Sequence, residues 1–210
     1  MSLLGQGAMV MWHDVKKGMA ADHDDWHSHE HIPERIGIVG FRRGRRCRGA
    51  GGWFILYEVD DVDVLTSPPY LERLNQPSPW STSVIPSITG MNRTLARVEQ
   101  SHGTGVGGYI VTIRSEIEVP EGLIADLPVR RGIIGAHSLR GDGVASGLRT
   151  KEKSLRDRPD GFAPWTTLIE GYDKSALDEI CRELVLQLGG DPSVIAGIYQ
   201  VNHIVAEADI

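Results

Sequence analysis

The chain has few cysteines and no long apolar run. Its two cysteines, Cys47 and Cys181, lie in different halves without a Cys-x-x-Cys spacing, so neither a disulfide framework nor a thiolate zinc site is expected. No stretch approaches the roughly 20 apolar residues that a membrane-spanning helix needs. The first residues show no basic region followed by an apolar segment and a cleavage site. These absences predict a soluble, cytoplasmic protein without a membrane partner.

Clustered positive charge is also scarce. The formal net charge is −6, which disfavours nucleic-acid partners because their affinity comes from grouped Lys and Arg that release counterions from phosphates. The one basic cluster is the segment 42–48. Strand alternation would place Arg43 and Arg45 on one face, where we expect either pairing with acids of the next strand or contact with an anionic small molecule. Those acids are Glu58, Asp60 and Asp61.

An internal repeat indicates two similar halves. The segment 128–135, P-V-R-R-G-I-I-G, can be laid over 33–40, P-E-R-I-G-I-V-G. We therefore predict a tandem duplication with a first repeat at 1–102 and a second at 103–210, joined by a Gly-rich linker at 92–108. The second half carries an insertion near 140–164, too long for an ordinary connection, which we interpret as either a lid or a mobile segment.

Each half shows the order strand, helix, strand, strand, helix, strand. In the first half we predict a strand at 8–15, a helix at about 23–31 that ends or kinks at Pro33, and a hairpin at 41–48 and 53–60. A βαββαβ unit forms a four-stranded antiparallel sheet with both helices on one face. Two such sheets cover each other's apolar faces, which predicts an α+β protein with a closed or nearly closed barrel and helices outside.

A histidine-rich stretch runs from Trp26 into the basic strand. On a helix, His23, His27 and His31 recur every four residues and share one face, where they could hold a metal ion together with a nearby carboxylate. Alternatively His31, next to Glu30, is an acid/base group at the mouth of the barrel with a ring that titrates near neutral pH. The third interpretation is a set of solvated or structurally hydrogen-bonded side chains on an exposed helix.

The spacing Trp26-x4-His31-x-Pro33, followed by Gly40-Phe41 and a basic strand, resembles the EthD-like members of the dimeric α+β barrel superfamily. The resemblance implies two ferredoxin-like repeats packed as an intramolecular barrel. It departs from the family pattern at Val39, where Pro often stands. It also weakens in the second half, where the counterparts of Trp26, Glu30 and His31 are Glu121, Ala125 and Asp126.

The resemblance also implies a reaction class. We expect a cofactor-independent isomerase, cyclase or lyase acting on a small aromatic or polyketide-like acid, with His31 as base and Glu30 orienting it. Arg43 or Arg45 would hold the anionic group. The remaining candidates for substrate contact are Trp12, Trp26, Arg35 and Tyr57; Arg35 recurs as Arg130, which also fits a structural role, and the aromatics equally fit a packed core.

The alternative class is a non-catalytic barrel that binds a small ligand or serves a structural role. No cofactor is expected, although relatives that handle haem leave a haem or metal ion open. The expected partner is a small-molecule ligand, and the expected assembly is a monomeric pseudo-dimer or a homodimer of it. A cavity lined by His31 together with an arginine would favour the enzyme, whereas His31 in bulk solvent would favour the non-catalytic barrel.

Overall fold

The protein is described by a computed structural model covering residues 3–189 and 191–210. Residues 1 and 2, the start of the segment that predicts no secretory signal, lie outside these described ranges. In the described part the strands are β1 (Gly7–Val15), β2 (Phe41–Gly49), β3 (Gly52–Val59), β4 (Ile88–Gly103), β5 (Tyr109–Ser115), β6 (Ile133–Gly141), β7 (Trp165–Gly171) and β8 (Ile195–Ala206). The helices are α1 (Ala20–Trp26), α2 (Ile32–Ile36), α3 (Pro68–Asn75), α4 (Pro79–Val84), α5 (Glu121–Ile124), α6 (Gly143–Gly147), α7 (Lys151–Ser154) and α8 (Lys174–Gln187).

The strands close into one antiparallel barrel with the order β1-β3-β2-β8-β5-β7-β6-β4. The first four strands form a sheet in the order β4-β1-β3-β2, and the last four repeat it as β8-β5-β7-β6. The halves meet at two seams, where β2 pairs with β8 and β4 pairs with β6. The predicted α+β barrel within one chain is confirmed, and no described helix is long and apolar enough to span a membrane.

Strand alternation separates two kinds of core. One set of side chains fills the barrel interior and includes Val10, Trp12, Phe54, Leu56 and Leu168. The opposite faces pack against the helices of each half, with Met9, Ile55 and Tyr57 under α2 and α3, and Val111 and Ile169 under α8. Ile180 and Leu184 of α8, together with Leu188 just after it, are buried against the second sheet.

The helix was predicted to end or kink at Pro33, but it does not end there. A π-helical turn at His27–His31 follows α1, and α2 continues the helical path through Pro33 to Ile36. In the π turn the N–H of Ile32 donates to the carbonyl of His27, five residues earlier. Because Pro33 has no N–H to donate, this wider turn allows the chain to stay helical past the proline.

The predicted linker at 92–108 was wrong as well. Its first part belongs to β4, whose residues Ala96 to Gly103 pair with β6 across one of the two seams. Only the short segment 104–108 connects the halves. The Ser, His and Gly residues of 92–108 give this segment a loop-like composition. Its structure is nevertheless fixed by strand pairing with the other half, which composition does not reveal. The boundary between the repeats and their origin by duplication stay predictions.

A charged network lies inside the barrel. Arg45 is fully buried and forms ion pairs of 2.7 Å with both Glu58 and Glu170. Glu58 also pairs with Arg43 at 2.7 Å, and His137 lies 3.4 Å from Glu170. Although burial alone would raise the pKa of Glu170, its contacts with Arg45 and His137 lower it to about 2. These contacts join strands of both halves across the interior.

The first prediction concerns the isolated first repeat, residues 1–102. Without the second half, β2 and β4 would expose unpaired edges and the inner face of the sheet would lose its cover, so we expect self-association or insolubility. Size measurement of the purified fragment checks this expectation. A well-folded monomer would show that pairing between the halves is unnecessary.

The second prediction is that Glu170→Gln lowers the free energy of unfolding by roughly 3–5 kcal/mol, because it leaves Arg45 with one buried partner fewer. The pKa of Glu170 is lower in the folded state than its ordinary value of 4.5. Its contribution is therefore fully present above about pH 4.5 and is lost as the pH falls toward 2.

Urea unfolding across this pH range checks the Glu170 prediction. The wild type should lose stability more steeply than Glu170→Gln, and Asp178→Asn, which removes an exposed pair with Lys174, should change little. Parallel pH profiles for the wild type and Glu170→Gln would contradict the prediction.

Candidate functional site

The candidate site is a small cavity between the outer face of the first sheet and its helices. It measures about 40 Å³, room for about three water molecules. Four histidines contribute to its wall, together with Trp26 and Arg35, and all of them are buried. The histidines are His13 from β1, His23 from α1, and His27 and His31 from the π turn.

The helix stacks three of these rings in a column. The centroids of His23 and His27 are 5.6 Å apart, and those of His27 and His31 are 5.5 Å apart. Four residues of helix rise by about 6 Å, which brings each ring over the next. The prediction that these histidines share one face is confirmed, whereas the interpretation of an exposed helix is wrong because their face packs on the sheet.

His13 joins the column from the strand. Its Nε2 lies 3.0 Å from Nε2 of His23, and Nδ1 of His23 lies 3.1 Å from a carboxylate oxygen of Asp24. The same oxygen accepts a 2.8 Å hydrogen bond from the indole N–H of Trp53. The Trp53 ring lies parallel to that of His13, with centroids 5.8 Å apart. Asp24 thus holds both His23 and Trp53 in place.

The environment keeps the imidazoles neutral. Burial is the largest cause that lowers the pKa of His13, His27 and His31 well below 6.5. The positive charge of Arg35 lowers the pKa of His31 further. Electrostatic repulsion between His27 and His31 likewise lowers the pKa of His27. The expectation that His31 titrates near neutral pH was wrong because the ring is not at the barrel mouth but under the helices. Neutral rings can accept a proton at pH 7.

Glu30 acts on Trp26. Its carboxylate accepts hydrogen bonds from the indole N–H of Trp26 at 3.1 Å and from two hydroxyls, those of Ser78 at 2.5 Å and Ser81 at 3.1 Å. The Trp26 ring in turn packs on His31 with centroids 4.3 Å apart. No hydrogen bond joins Glu30 to His31 in the described part of the chain, so any orientation of His31 by Glu30 passes through the tryptophan.

The insertion of the second half covers this cavity. Glu152 of α7 is buried and reaches Arg35 at 2.5 Å, so an ion pair ties the insertion to the helix that carries the histidines. Nη2 of Arg35 makes this contact, whereas Nη1 is buried without a hydrogen-bond partner among the described residues. Nη1 lies 3.7 Å from a carboxylate oxygen of Glu34. Of the two interpretations of this insertion, its position fits the lid.

An open cleft of about 720 Å³ lies on the outer side of the lid. Arg93, Lys153 and Arg156 line both this cleft and the inner cavity, so movement of the lid would join the two spaces. Arginines and lysines outnumber acids around the cleft, which favours the entry of an anionic molecule. The basic residues are Arg93, Arg149, Lys153, Arg156 and Arg158, and the acids are Asp157 and Asp160.

Three of the predicted substrate contacts lie elsewhere. Trp12 points into the barrel, where its indole N–H donates to Thr112 at 3.0 Å. Arg43 and Arg45 bind Glu58 by the predicted cross-strand pairing. Strand alternation directs these side chains to the face opposite the cavity. Tyr57 lies under the histidine column, with its hydroxyl 3.5 Å from Nε2 of His27.

Three residues of the site were not predicted from the sequence: His13, Trp53 and Glu152. A signal existed for His13, because Met9, Met11 and His13 alternate on the strand face that meets the helices. No local pattern places Glu152 near Arg35, since 117 residues separate them. Contact between the insertion and the first helix is decided only by the folded chain.

The described residues contain no group of three or more His, Cys, Asp or Glu side chains arranged to hold a metal ion. The proposed metal set of His23, His27 and His31 is a stack of rings with successive centroids 5.6 and 5.5 Å apart. The cavity, at about 40 Å³, has room for a few water molecules, so a haem would not enter it without movement of the lid. No chemical step is assigned to either group.

No protein-family model matches the chain, and no curated protein matches its sequence. Solved structures share its fold at low identity. An anthrone oxidase-like protein has a TM-score of 0.62 at 11% identity, covering 97% of this chain and 94% of the other. A candidate monooxygenase from Fusobacterium nucleatum subsp. nucleatum has a TM-score of 0.58 at 11% identity, with coverages of 97% and 96%.

A candidate chlorite dismutase has a TM-score of 0.52 at 11% identity, with coverages of 95% and 96%. These structures confirm the α+β barrel fold over nearly the whole chain. Identities near 11% show the fold alone, and membership of the dimeric α+β barrel superfamily, like the narrower EthD-like assignment, stays a prediction.

The third prediction tests the attachment of the lid. Glu152→Gln should speed hydrogen exchange in the segment 143–162 by roughly tenfold or more, because losing one partner of a buried charge-assisted hydrogen bond costs about 1–3 kcal/mol. Hydrogen exchange with mass spectrometry measures this change. Glu183→Gln, which removes an exposed pair with Arg130, should leave exchange in this segment unchanged. Equal exchange in wild type and Glu152→Gln would show that the ion pair does not hold the lid.

Proposed function

We propose that the protein is a cofactor-independent enzyme that moves a proton on a small aromatic or polyketide-like acid, as an isomerase, cyclase or lyase does. The observation that supports this proposal is that His31 and Arg35 line the same closed cavity. A neutral imidazole supplies a base, and a guanidinium supplies a partner for an anionic group. His31 in bulk solvent would have favoured the non-catalytic alternative, whereas its exposed fraction is 8%.

Arg35 is the group that would hold the substrate's anionic end. Its present partner, Glu152, is itself a carboxylate and belongs to the lid. When the lid moves, a substrate carboxylate can take the position of Glu152 without leaving the buried guanidinium unpaired. Such an exchange matters because an unpaired buried charge is strongly unfavourable. It would also couple substrate entry to lid movement, which the small closed cavity requires.

The walls of the cavity suit an apolar ring. Met9, Met11, Met91 and Ile55 line it together with Trp26, and methionine side chains adapt well to aromatic ligands. His31, which already packs on Trp26, would contact the substrate between this apolar region and Arg35. Among the similar structures, the anthrone oxidase-like protein is named for an aromatic substrate, in agreement with the proposed substrate class.

The fourth prediction concerns proton transfer. Incubated in D₂O with a panel of hydroxylated aromatic and polyketide-like carboxylic acids, the protein should introduce deuterium at a carbon of at least one of them. His31→Asn should slow this exchange by about 10²–10⁴-fold, the usual effect of losing an acid/base group. NMR or mass spectrometry of the recovered acid gives the rate.

The matched control is Asp126→Asn, because Asp126 occupies the position of His31 in the second repeat and is exposed. This variant should exchange deuterium at the wild-type rate. Equal losses from both variants would indicate two working sites. Binding of an acid without any deuterium exchange would instead support the non-catalytic ligand-binding barrel.

A further inference from the structure

We infer that His13 is a second acid/base group of this cavity, and that His23 and Asp24 form a hydrogen-bond relay that keeps its Nδ1 free to accept a proton. The inference rests on the proposed function and deepens it, since it names an atom and a path for the proton. Nothing in the sequence motif around Trp26 and His31 points to His13, which comes from β1.

The relay is defined from its outer end inward. A carboxylate only accepts hydrogen bonds, so Nδ1 of His23, 3.1 Å from Asp24, carries the hydrogen. A neutral His23 then has a bare Nε2. Nε2 of His13 lies 3.0 Å from it and must be the donor. A neutral His13 that is protonated on Nε2 has a bare Nδ1.

The bare nitrogen is buried in the wall of the cavity. Nδ1 of His13 has no hydrogen-bond partner in the described ranges 3–189 and 191–210, and its atom is inaccessible to bulk solvent. Unpaired buried acceptors are unfavourable, so their presence at a cavity indicates a site for a donor. A substrate O–H or acidic C–H in this cavity would meet a nitrogen that can accept its proton.

Both ends of the relay are held in place. The chain bulges between Trp12 and Asp14 where β1 pairs with β4, and such irregularities redirect a side chain. Trp53 stacks on the His13 ring and donates to Asp24. Arg46 adds a charge contact of 3.6 Å with Asp24. The relay is thus anchored by two residues that are not part of it.

One proton moves through the relay in each direction. The substrate proton binds Nδ1 of His13, whose Nε2 proton passes to Nε2 of His23. His13 is then neutral, and the positive charge rests on His23, whose Nδ1–H faces the carboxylate of Asp24. Reversal of both transfers returns the proton to the substrate at another atom. No oxidant, reductant or further reactant enters.

His13 and His31 then have complementary positions. His31 lies beside Arg35, close to the expected anionic end of the substrate, whereas His13 lies beside Trp53 at the other end of the histidine column. An isomerase must remove a proton at one atom and deliver it at another. Each neutral imidazole can take a proton from the substrate and, once protonated, return it at another atom. His23 and Asp24 are positioning residues, because they act through His13.

The fifth prediction reads the tautomers directly. In the ¹⁵N-labelled full-length protein near pH 7, long-range ¹H–¹⁵N correlation spectra should show His13 protonated only on Nε2 and His23 only on Nδ1. Asp24→Ala removes the acceptor of the His23 Nδ1–H, so the opposite tautomer of both rings should become populated. Asp25→Ala, at an exposed neighbour, should leave both rings as in the wild type.

A wild-type His13 protonated on Nδ1, or spectra unchanged by Asp24→Ala, would overturn the relay. The wild-type spectrum alone decides this even if Asp24→Ala does not fold. These outcomes are separate from the test of the proposed function. Absence of deuterium exchange with the expected tautomers would remove the reaction and leave the relay in place, whereas exchange with the wrong tautomers would remove only the relay.

Discussion

Strand pairing between the two halves is the constraint on which the rest of the structure depends. Each four-stranded sheet has two edges and one apolar face that its own helices do not cover. Pairing of β2 with β8 and of β4 with β6 satisfies both edges at once, and closure buries the two inner faces against each other. The barrel interior is therefore a packed core with a central ion network and not a ligand chamber.

Closure of the barrel moves any binding site to the layer between sheet and helices. In the second half, α8 fills this layer with apolar side chains such as Ile180 and Leu184. In the first half the corresponding layer contains four histidines, a buried Arg35 and Trp26. Buried polar groups of this kind oppose stability unless they are paired, and their concentration on one side of the fold agrees with the proposal that one half keeps the working site.

The two halves cooperate in this site. The first half supplies the histidine column, and the insertion of the second half supplies the lid and Glu152. This arrangement explains why the insertion packs against the first half. The buried carboxylate of Glu152 in the insertion pairs with Arg35 at 2.5 Å, whereas Glu34 on the same helix as Arg35 lies 3.7 Å away. The lid and the cavity therefore form one electrostatic unit, in which replacement of one carboxylate by another is the natural way to admit an anion.

The sequence by itself determined the order of helices and strands along the first half, the hairpin, and the shared face of His23, His27 and His31, because these depend on local periodicity and turn residues. The length of β4, the helical passage through Pro33 and the positions of Arg43, Arg45 and Trp12 were decided by tertiary structure. Strand pairing across the seams fixes the length of β4. The alternation of side chains along strands of a closed barrel fixes the positions of Arg43, Arg45 and Trp12. Only the folded chain could bring His13 to His23 and Glu152 to Arg35, since hydrogen bonds and ion pairs between distant segments leave no periodic signal in the sequence.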